Sequence, residues 1–303
     1  MRSTSGVRSS TRVIGLTLGD AAGIGPEVVS AALQSGKLDQ AFEYRLLGDR
    51  GRASPGEPTR ESARDALEAL EEAARAAIAG KIAAVVTGPV SKARLQSVGF
   101  TYPGQTEFFA ARAGIENFAM CLTGGALTVA LVTAHVPLRE VPALLELNEI
   151  VRVGQLLAGF LTARLNRAPR VAVAGLNPHA GESGTLGREE IELIGPAVEK
   201  LNDLSSSTAH SPCSFSGPIS PDTVFYRALR GEFDGVLCMY HDQGLIPLKL
   251  AAFDEGVNVT LGLPFPRTSP DHGTAFEIAG KGIARAESMI AAINLAAELA
   301  WKH

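Results

Sequence analysis

The sequence predicts an α/β protein built on a mixed, mostly parallel sheet. Short apolar runs (Val13–Leu18, Ile82–Val86, Val171–Ala174, Val236–Tyr240) alternate with longer stretches of helical periodicity, the order of strand–helix–strand units. Two further runs, Ala119–Thr123 and Leu127–Ala134, flank Gly124-Gly125, a hairpin signal that adds an antiparallel pair. Chemically active residues collect just past the apolar runs, where open α/β sheets bind ligands.

At 303 residues the chain is long enough for a large core and for two domains or lobes. With 46% hydrophobic and 20% charged residues, the balance is that of a compact protein. A formal net charge of −4 and the lack of any basic block argue against nucleic acid or an anionic membrane as partner. No apolar run approaches the roughly 20 residues of a membrane helix. The opening MRSTSGVRSSTR lacks an apolar core and reads as a frayed tail, not a secretory signal. Cys121, Cys213 and Cys238 have neither disulfide-framework nor Cys-x-x-Cys spacing, as expected for reduced thiols of a cytoplasmic protein.

Taken in order, the first strand breaks at Gly19-Asp20-Ala21-Ala22-Gly23-Ile24-Gly25, and Pro26 opens a helix. That turn can hold an anion on free N–H groups, or it is simply a tight connection, and its spacing is not the dinucleotide fingerprint. Tyr44–Leu47 predicts a second strand, a polar loop follows through Pro58, and Arg60–Ala79 predicts a long amphipathic helix. After the strand at Ile82–Val86, Thr87-Gly88-Pro89-Val90-Ser91-Lys92 is a strand-to-helix turn carrying a cation. Tyr102-Pro103-Gly104-Gln105-Thr106-Glu107 leads into another helix, with Thr106 either capping it or bonding a ligand. Beyond the hairpin, helices are expected over Arg139–Leu147, Glu149–Leu165 and Arg188–Leu201. Ser205–Ser220 reads as a surface connection, Asp222 begins the next helix, and Glu287–Lys302 is the last.

His135, His179 and His241 each stand at or just past the end of a predicted buried strand. One histidine there means little, but three together suit a catalytic divalent metal that keeps positions open for substrate. Asp242 and Asp222 are candidate carboxylates to orient the rings. The competing reading is three separate histidines, satisfied locally or facing solvent. Lys249, Asn258 and Arg267, spaced by short apolar runs, suit an anion next to that metal, and His272 follows in a Gly-rich turn. Spacing alone leads to a metalloenzyme for a small anionic substrate.

The segments GDAAGIGPE, TGPVSKA, PGQTEFFA, AHVPL, LNPHAGESGTLGREE, PDTVF and MYHDQGLIPLKL resemble, in order, the signatures of the 4-hydroxythreonine-4-phosphate dehydrogenase family, which makes pyridoxal phosphate precursors. The likeness runs from about Val13 to the end of the chain. HGTAFEIAGKGIA is also similar to the loop with which isocitrate and isopropylmalate dehydrogenases hold NAD(P), which makes His272, Gly273 and Thr274 cofactor candidates. The resemblance implies their two-lobed α/β/α fold. Residues 1–105 with 265–303 would form one lobe, and 106–264 a second lobe with dimer-forming elements. The active-site cleft would lie between them.

It further implies a metal (zinc, magnesium or cobalt) on His135, His179 and His241, shared between the subunits of a homodimer. Substrate contacts would come from Gln105, Thr106, Lys249, Asn258 and Arg267, with support from Asp222 and Asp242. The implied reaction is NAD- or NADP-dependent oxidation of 4-phosphooxy-L-threonine at its secondary hydroxyl. The resulting 3-oxo acid decarboxylates to 3-amino-2-oxopropyl phosphate, in pyridoxine 5'-phosphate biosynthesis.

Two departures stand out: Gln105 where the family has His, and Ala21 where it has Pro. Gln exchanges hydrogen bonds but carries no charge near neutral pH. The alternatives are therefore a sister dehydrogenase for 4-phospho-threonate or 4-phospho-erythronate, or, from another class, a phosphotransacetylase-like acyltransferase.

Overall fold

The computed structural model describes residues 12–48, 53–206 and 213–302. Its strands are β1 (Arg12–Thr17), β2 (Phe42–Leu47), β3 (Ala84–Thr87), β4 (Ala119–Gly124), β5 (Leu127–Leu131), β6 (Arg170–Ala174), β7 (Ser214–Ile219), β8 (Gly235–Cys238), β9 (Val257–Leu261) and β10 (Arg267–Pro270). They form one ten-stranded sheet among the described residues, ordered β2-β1-β3-β10-β9-β4-β5-β8-β6-β7. The antiparallel pairs are β10/β9, β9/β4 and the β4/β5 hairpin, and the two flanking blocks are parallel. The mixed sheet is the one the Gly-Gly turn predicts.

The helices are α1 (Gly25–Gln34), α2 (Arg60–Ile78), α3 (Lys92–Gln96), α4 (Gln105–Ala113), α5 (Val141–Leu144), α6 (Leu147–Leu165), α7 (Gly195–Ser206), α8 (Pro221–Leu229), α9 (His241–Ala252) and α10 (Glu287–Ala300). A reciprocal capping box between Thr59 and Ser62 starts α2, and alanines at helical spacing form its buried stripe. Small side chains let α2 lie close to the sheet: a Cβ on Gly48 would stand 2.5 Å from that of Ala69. Phe108 and Phe109 of α4 pack without exposure in the same cluster as Leu70 of α2 and Leu95 of α3. Each such side chain contributes about 1.5–3 kcal/mol by leaving water. α6 seals the other parallel block through Ile150, Val153, Leu157 and Leu161.

The structure corrects several expectations. Part of the expected connection Ser205–Ser220 is β7, paired with β6 only. An edge strand needs one row of ladder bonds, so Ser214, Ser216 and Pro218 are tolerated and the strand signal is weak. The helix expected over Arg139–Leu147 divides into a 3-10 turn, Leu138–Glu140, and the short α5. That expected from Arg188 opens with a π turn, Glu190–Ile194. His241, expected at the end of a buried strand, begins α9, a helix the sequence reading did not include.

The Ser/Arg-rich opening through Thr11, residues 49–52 of the polar loop and 207–212 of the expected connection lie outside the described residues. All three cysteines are buried free thiols, and burial pushes Cys121 and Cys213 up to about 12. No helix among the described residues is long and apolar enough to cross a membrane.

Candidate active site

β5 and β8 are parallel neighbours, and their pairing continues past the last ladder residue. Val132 N donates to Cys238 O at 2.9 Å and Thr133 N to Met239 O at 3.1 Å. The two chains thus deliver His135 and His241 together, with ring centroids 5.6 Å apart and planes tilted by 45°. Gln243 ties this end of β8 to β6, accepting from Met239 N and donating to Gly175 O, each at 2.7 Å. Asp242 Oδ1 lies 2.7 Å from His241 Nδ1, which leaves Nε2 free to ligate. The His135 side chain lies at the surface; partial desolvation first, then the neighbouring His241, lowers its pKa below the ordinary histidine value. A divalent cation is held by neutral imidazole, so that direction suits His135 as a ligand. A cavity of about 200 Å³ opens beside the rings, bounded by Leu138, Val141 and Tyr240.

His179 follows β6, the other neighbour of β8, but is exposed and does not line that cavity. The backbone from His179 to Ser183 is left-handed throughout, a conformation that disfavours L-residues. The buried Glu190 carboxylate holds the start of this segment, accepting from Leu176 N and Asn177 N at 2.7 Å each. Among the described residues no three His, Cys, Asp or Glu side chains are grouped to hold a metal, so one chain does not bring His179 to the His135–His241 pair. Asp222 accepts from Ser220 Oγ at 2.5 Å at the start of α8, which packs against the His179 segment.

A second group of site residues lies where α4 meets β9 and β10. Arg267 is only 2% exposed, and burial pushes its pKa down to about 10. Its Nη2 donates to Gln105 Oε1 at 2.9 Å and to Thr87 Oγ1, and its guanidinium lies 5.6 Å from the Phe109 ring centroid. It has no ion pair among the described residues, and its Nε has no partner. Neutral oxygens thus hold a buried cation, leaving its charge for an anion. Thr106 Oγ1 meets Thr260 Oγ1 at 3.3 Å, so it does not cap α4; Gly104 stands at the cap. Asn258 Oδ1 and Glu107 Oε2 are also buried without partners. Buried polar atoms are normally paired, so these two oxygens are available to accept from a ligand. Lys249 differs from Arg267: near the far end of α9 it already pairs with Asp271 at 2.9 Å.

The segment from His272 docks on the first strand-to-helix turn. Thr274 O accepts from Ile24 N at 2.9 Å, and a Cβ on Gly23 would stand 2.6 Å from that oxygen, so the turn needs glycine there. Asp20, 1% exposed, accepts from Ala22 N at 3.1 Å and from Arg94 Nε at 3.2 Å. Arg94 also reaches Thr59 O and lies 5.9 Å from the Phe276 ring centroid. His272 Nε2 is buried without a partner, and Gly273 stands exposed with space around it.

Sequence reasoning missed Glu190 and Glu107. The only signal for Glu107 was an acid directly after Gln105-Thr106 in a first helical turn.

The family described as "Pyridoxal phosphate biosynthetic protein PdxA" matches residues 23–296. The 4-hydroxythreonine-4-phosphate dehydrogenase of Desulfosudis oleivorans is 42% identical over 95% of this chain and 96% of its own length. The crystal structure of 4-hydroxythreonine-4-phosphate dehydrogenase from Klebsiella pneumoniae covers 96% of this chain and 100% of its own, at 36% identity and a TM-score of 0.80. A β-decarboxylating dehydrogenase from Thermococcus kodakarensis, at 17% identity and a TM-score of 0.52 over 92% of this chain and 81% of its own, shares the fold alone.

Proposed function

The chain belongs to the pyridoxal phosphate biosynthetic protein PdxA family, and from that premise we propose how its own residues carry out the reaction. It is an oxidoreductase acting on a CH–OH group, with a role in pyridoxal phosphate biosynthesis. Its substrate is a small phosphorylated hydroxy-amino acid, in our reading 4-phosphooxy-L-threonine, oxidised at the secondary hydroxyl and then decarboxylated to 3-amino-2-oxopropyl phosphate. The observation that carries this reading is the pairing of two neighbouring imidazoles, His135 and His241, with a buried guanidinium that forms no ion pair among the described residues.

Arg267 grips the phosphate, held in place by Gln105 and Thr87, and Lys249 adds a second cation. That remote binding energy fixes the reacting carbon. Thr106 and Asn258 offer polar contacts to the rest of the substrate. Asp242 keeps His241 in one tautomer, and Asp222 supports the His179 side. A divalent cation (zinc, magnesium or cobalt) held by His135, His179 and His241 would act as a Lewis acid on the secondary hydroxyl. The three rings are not grouped among the described residues of a single chain, which supports a metal site shared between the subunits of a homodimer. NAD or NADP, bound along His272, Gly273 and Thr274, would take the hydride.

The same reading divides the chain into a lobe of residues 1–105 with 265–303 and a lobe of 106–264. The contact of β10 with β3 and of β9 with β4 supports it.

The test is absorbance of reduced cofactor with NAD and NADP and a panel of phosphorylated hydroxy acids. Turnover of 4-phosphooxy-L-threonine, abolished by a chelator and restored by zinc, magnesium or cobalt, is expected. Turnover of 4-phospho-threonate or 4-phospho-erythronate alone would replace this reading with the sister dehydrogenase.

A further inference from the structure

We propose that Arg94 is a positioning residue for the nicotinamide cofactor, holding the segment that starts at His272 in the shape that binds it. The inference rests on the cofactor assignment proposed above. That segment has room for a ligand: His272 Nε2 is buried without a partner, and a Cβ on Gly273 would meet no atom within 4 Å. It also adopts a conformation it would not keep by itself. Ala275, just before the 3-10 turn Phe276–Ile278, has φ 41° and ψ 53°, the left-handed region that disfavours L-residues. Such a residue persists only where its surroundings hold it.

Two tethers come from the first strand-to-helix turn and α1. Ile24 N donates to Thr274 O at 2.9 Å, and Glu27 Oε2 accepts from Gly280 N at 3.0 Å. They leave the middle of the segment, where Phe276 lies, to Arg94 of α3. The Arg94 guanidinium carbon stands 5.9 Å from the Phe276 ring centroid. Its Nη2 donates to Thr59 O and its Nε to Asp20 Oδ2 at 3.2 Å. One side chain thus joins α3, the start of α2, the β1–α1 turn and the cofactor segment. An ion pair serving the fold alone would need only the buried Asp20. A planar fork can donate along its edge and still offer a face to an aromatic ring.

The place of α3 in the fold gives the tether its reach. It follows β3, whose last residue, Thr87, accepts from Arg267 Nη2. The turn between them packs on the β1–α1 turn: Asp20 N donates to Pro89 O at 3.0 Å, and a Cβ on Gly88 would stand 2.4 Å from the Leu18 carbonyl carbon. The two glycine-containing turns therefore pack as one unit, with an acceptor for Arg267 on one side and Arg94 on the other. That unit relates the cofactor segment to the anion site. Hydride transfer needs such a fixed relation, because reacting atoms must approach to about 3–3.5 Å.

The experiment uses wild type, Arg94→Lys, Phe276→Ala and the double variant. Lysine keeps a cation for the buried Asp20 but loses the fork that serves Thr59 and Phe276 together. Arg94→Lys should therefore melt near the wild-type temperature. Fluorescence titration should show NADH or NADPH bound about 5- to 30-fold more weakly by either single variant, the factor for re-ordering about one backbone residue on binding. KM for 4-phosphooxy-L-threonine should change less than about threefold. Hydrogen exchange should quicken over residues 272–282 and stay unchanged over α6. The double variant should lose no more than the weaker-binding single one, because Arg94 acts through Phe276.

Unchanged nucleotide affinity in Arg94→Lys, or equal losses for nucleotide and phosphorylated substrate, would overturn the proposal. So would losses that multiply in the double variant. A wild type that binds neither nucleotide would sink the cofactor assignment and the role of Arg94 with it, an outcome distinct from variants that bind as well as wild type.

Discussion

Gln105 stands where the family resemblance implies a His, and its oxygen accepts a hydrogen bond from the buried Arg267 guanidinium. A neutral imidazole can accept the same bond; a protonated one cannot. Beside a cation its pKa would fall below the reference of about 6.5. Gln105→His should therefore keep the substrate preference and a similar rate at neutral pH, with activity falling only as the pH drops and the ring protonates. The check is kcat/KM against pH for both forms on two substrates, and a change of preferred substrate would show that Gln105 sets specificity. Arg267 carries a sharper consequence. Arg267 is a buried charge held by neutral oxygens, so it carries a desolvation cost that an apolar chain of similar length does not. Arg267→Met should therefore melt at or above the wild-type temperature, while losing about 1.5–3 kcal/mol of affinity for the phosphorylated substrate. A large drop in melting temperature would mean that Arg267 supports the fold more than the ligand.

Elements are joined by clamps whose strength depends on pH. Asp234, just before β8, accepts from Arg167 Nη2 at 2.6 Å and from Arg170 N at 2.8 Å, tying the start of β6 to that of β8. Burial alone would raise this carboxyl, but the hydrogen bonds from Arg167 and Arg170 hold it well below the usual range. A group depressed in the folded state stabilises above its unfolded pKa of about 3.9, and that contribution is lost as pH falls toward the folded value. Asp234→Asn should thus melt several degrees below wild type at neutral pH, and the gap should narrow only below about pH 4. Thermal melts of both forms across pH 3 to 8 would test this; a gap that also closes above pH 6 would place the effect elsewhere.

For the whole molecule, the open question is what covers α9. Ile246, Leu250 and Phe253 are spaced to share one face of this helix and its end, and Leu250 is 88% exposed. The helix begins with His241, one of the three proposed metal ligands. In the proposed homodimer a second copy of the chain would cover both. Leu250→Glu should shift the protein from dimer to monomer in sedimentation and reduce metal content and activity together. A dimeric, active Leu250→Glu would move the interface away from α9.

The strand runs, the Gly-Gly hairpin and most helices were legible in the sequence, because each rests on local periodicity and turn chemistry. His135, His241 and Arg267 were singled out there as candidates, because their side-chain types suit a metal or an anion. β7 was not legible, because an edge strand imposes little on its sequence. Nor was the helix that His241 begins, since Pro247 and Gly244 interrupt its pattern. The sequence by itself determined which groups could act and on which segments they lie. Only the tertiary structure decided which of them meet: His135 with His241, and Gln105 with Arg267. It alone left Glu107 and Asn258 without partners. Partnership between residues far apart in sequence depends on strand order and register, and burial decides whether a missing partner matters. Neither is written in any local stretch of the chain.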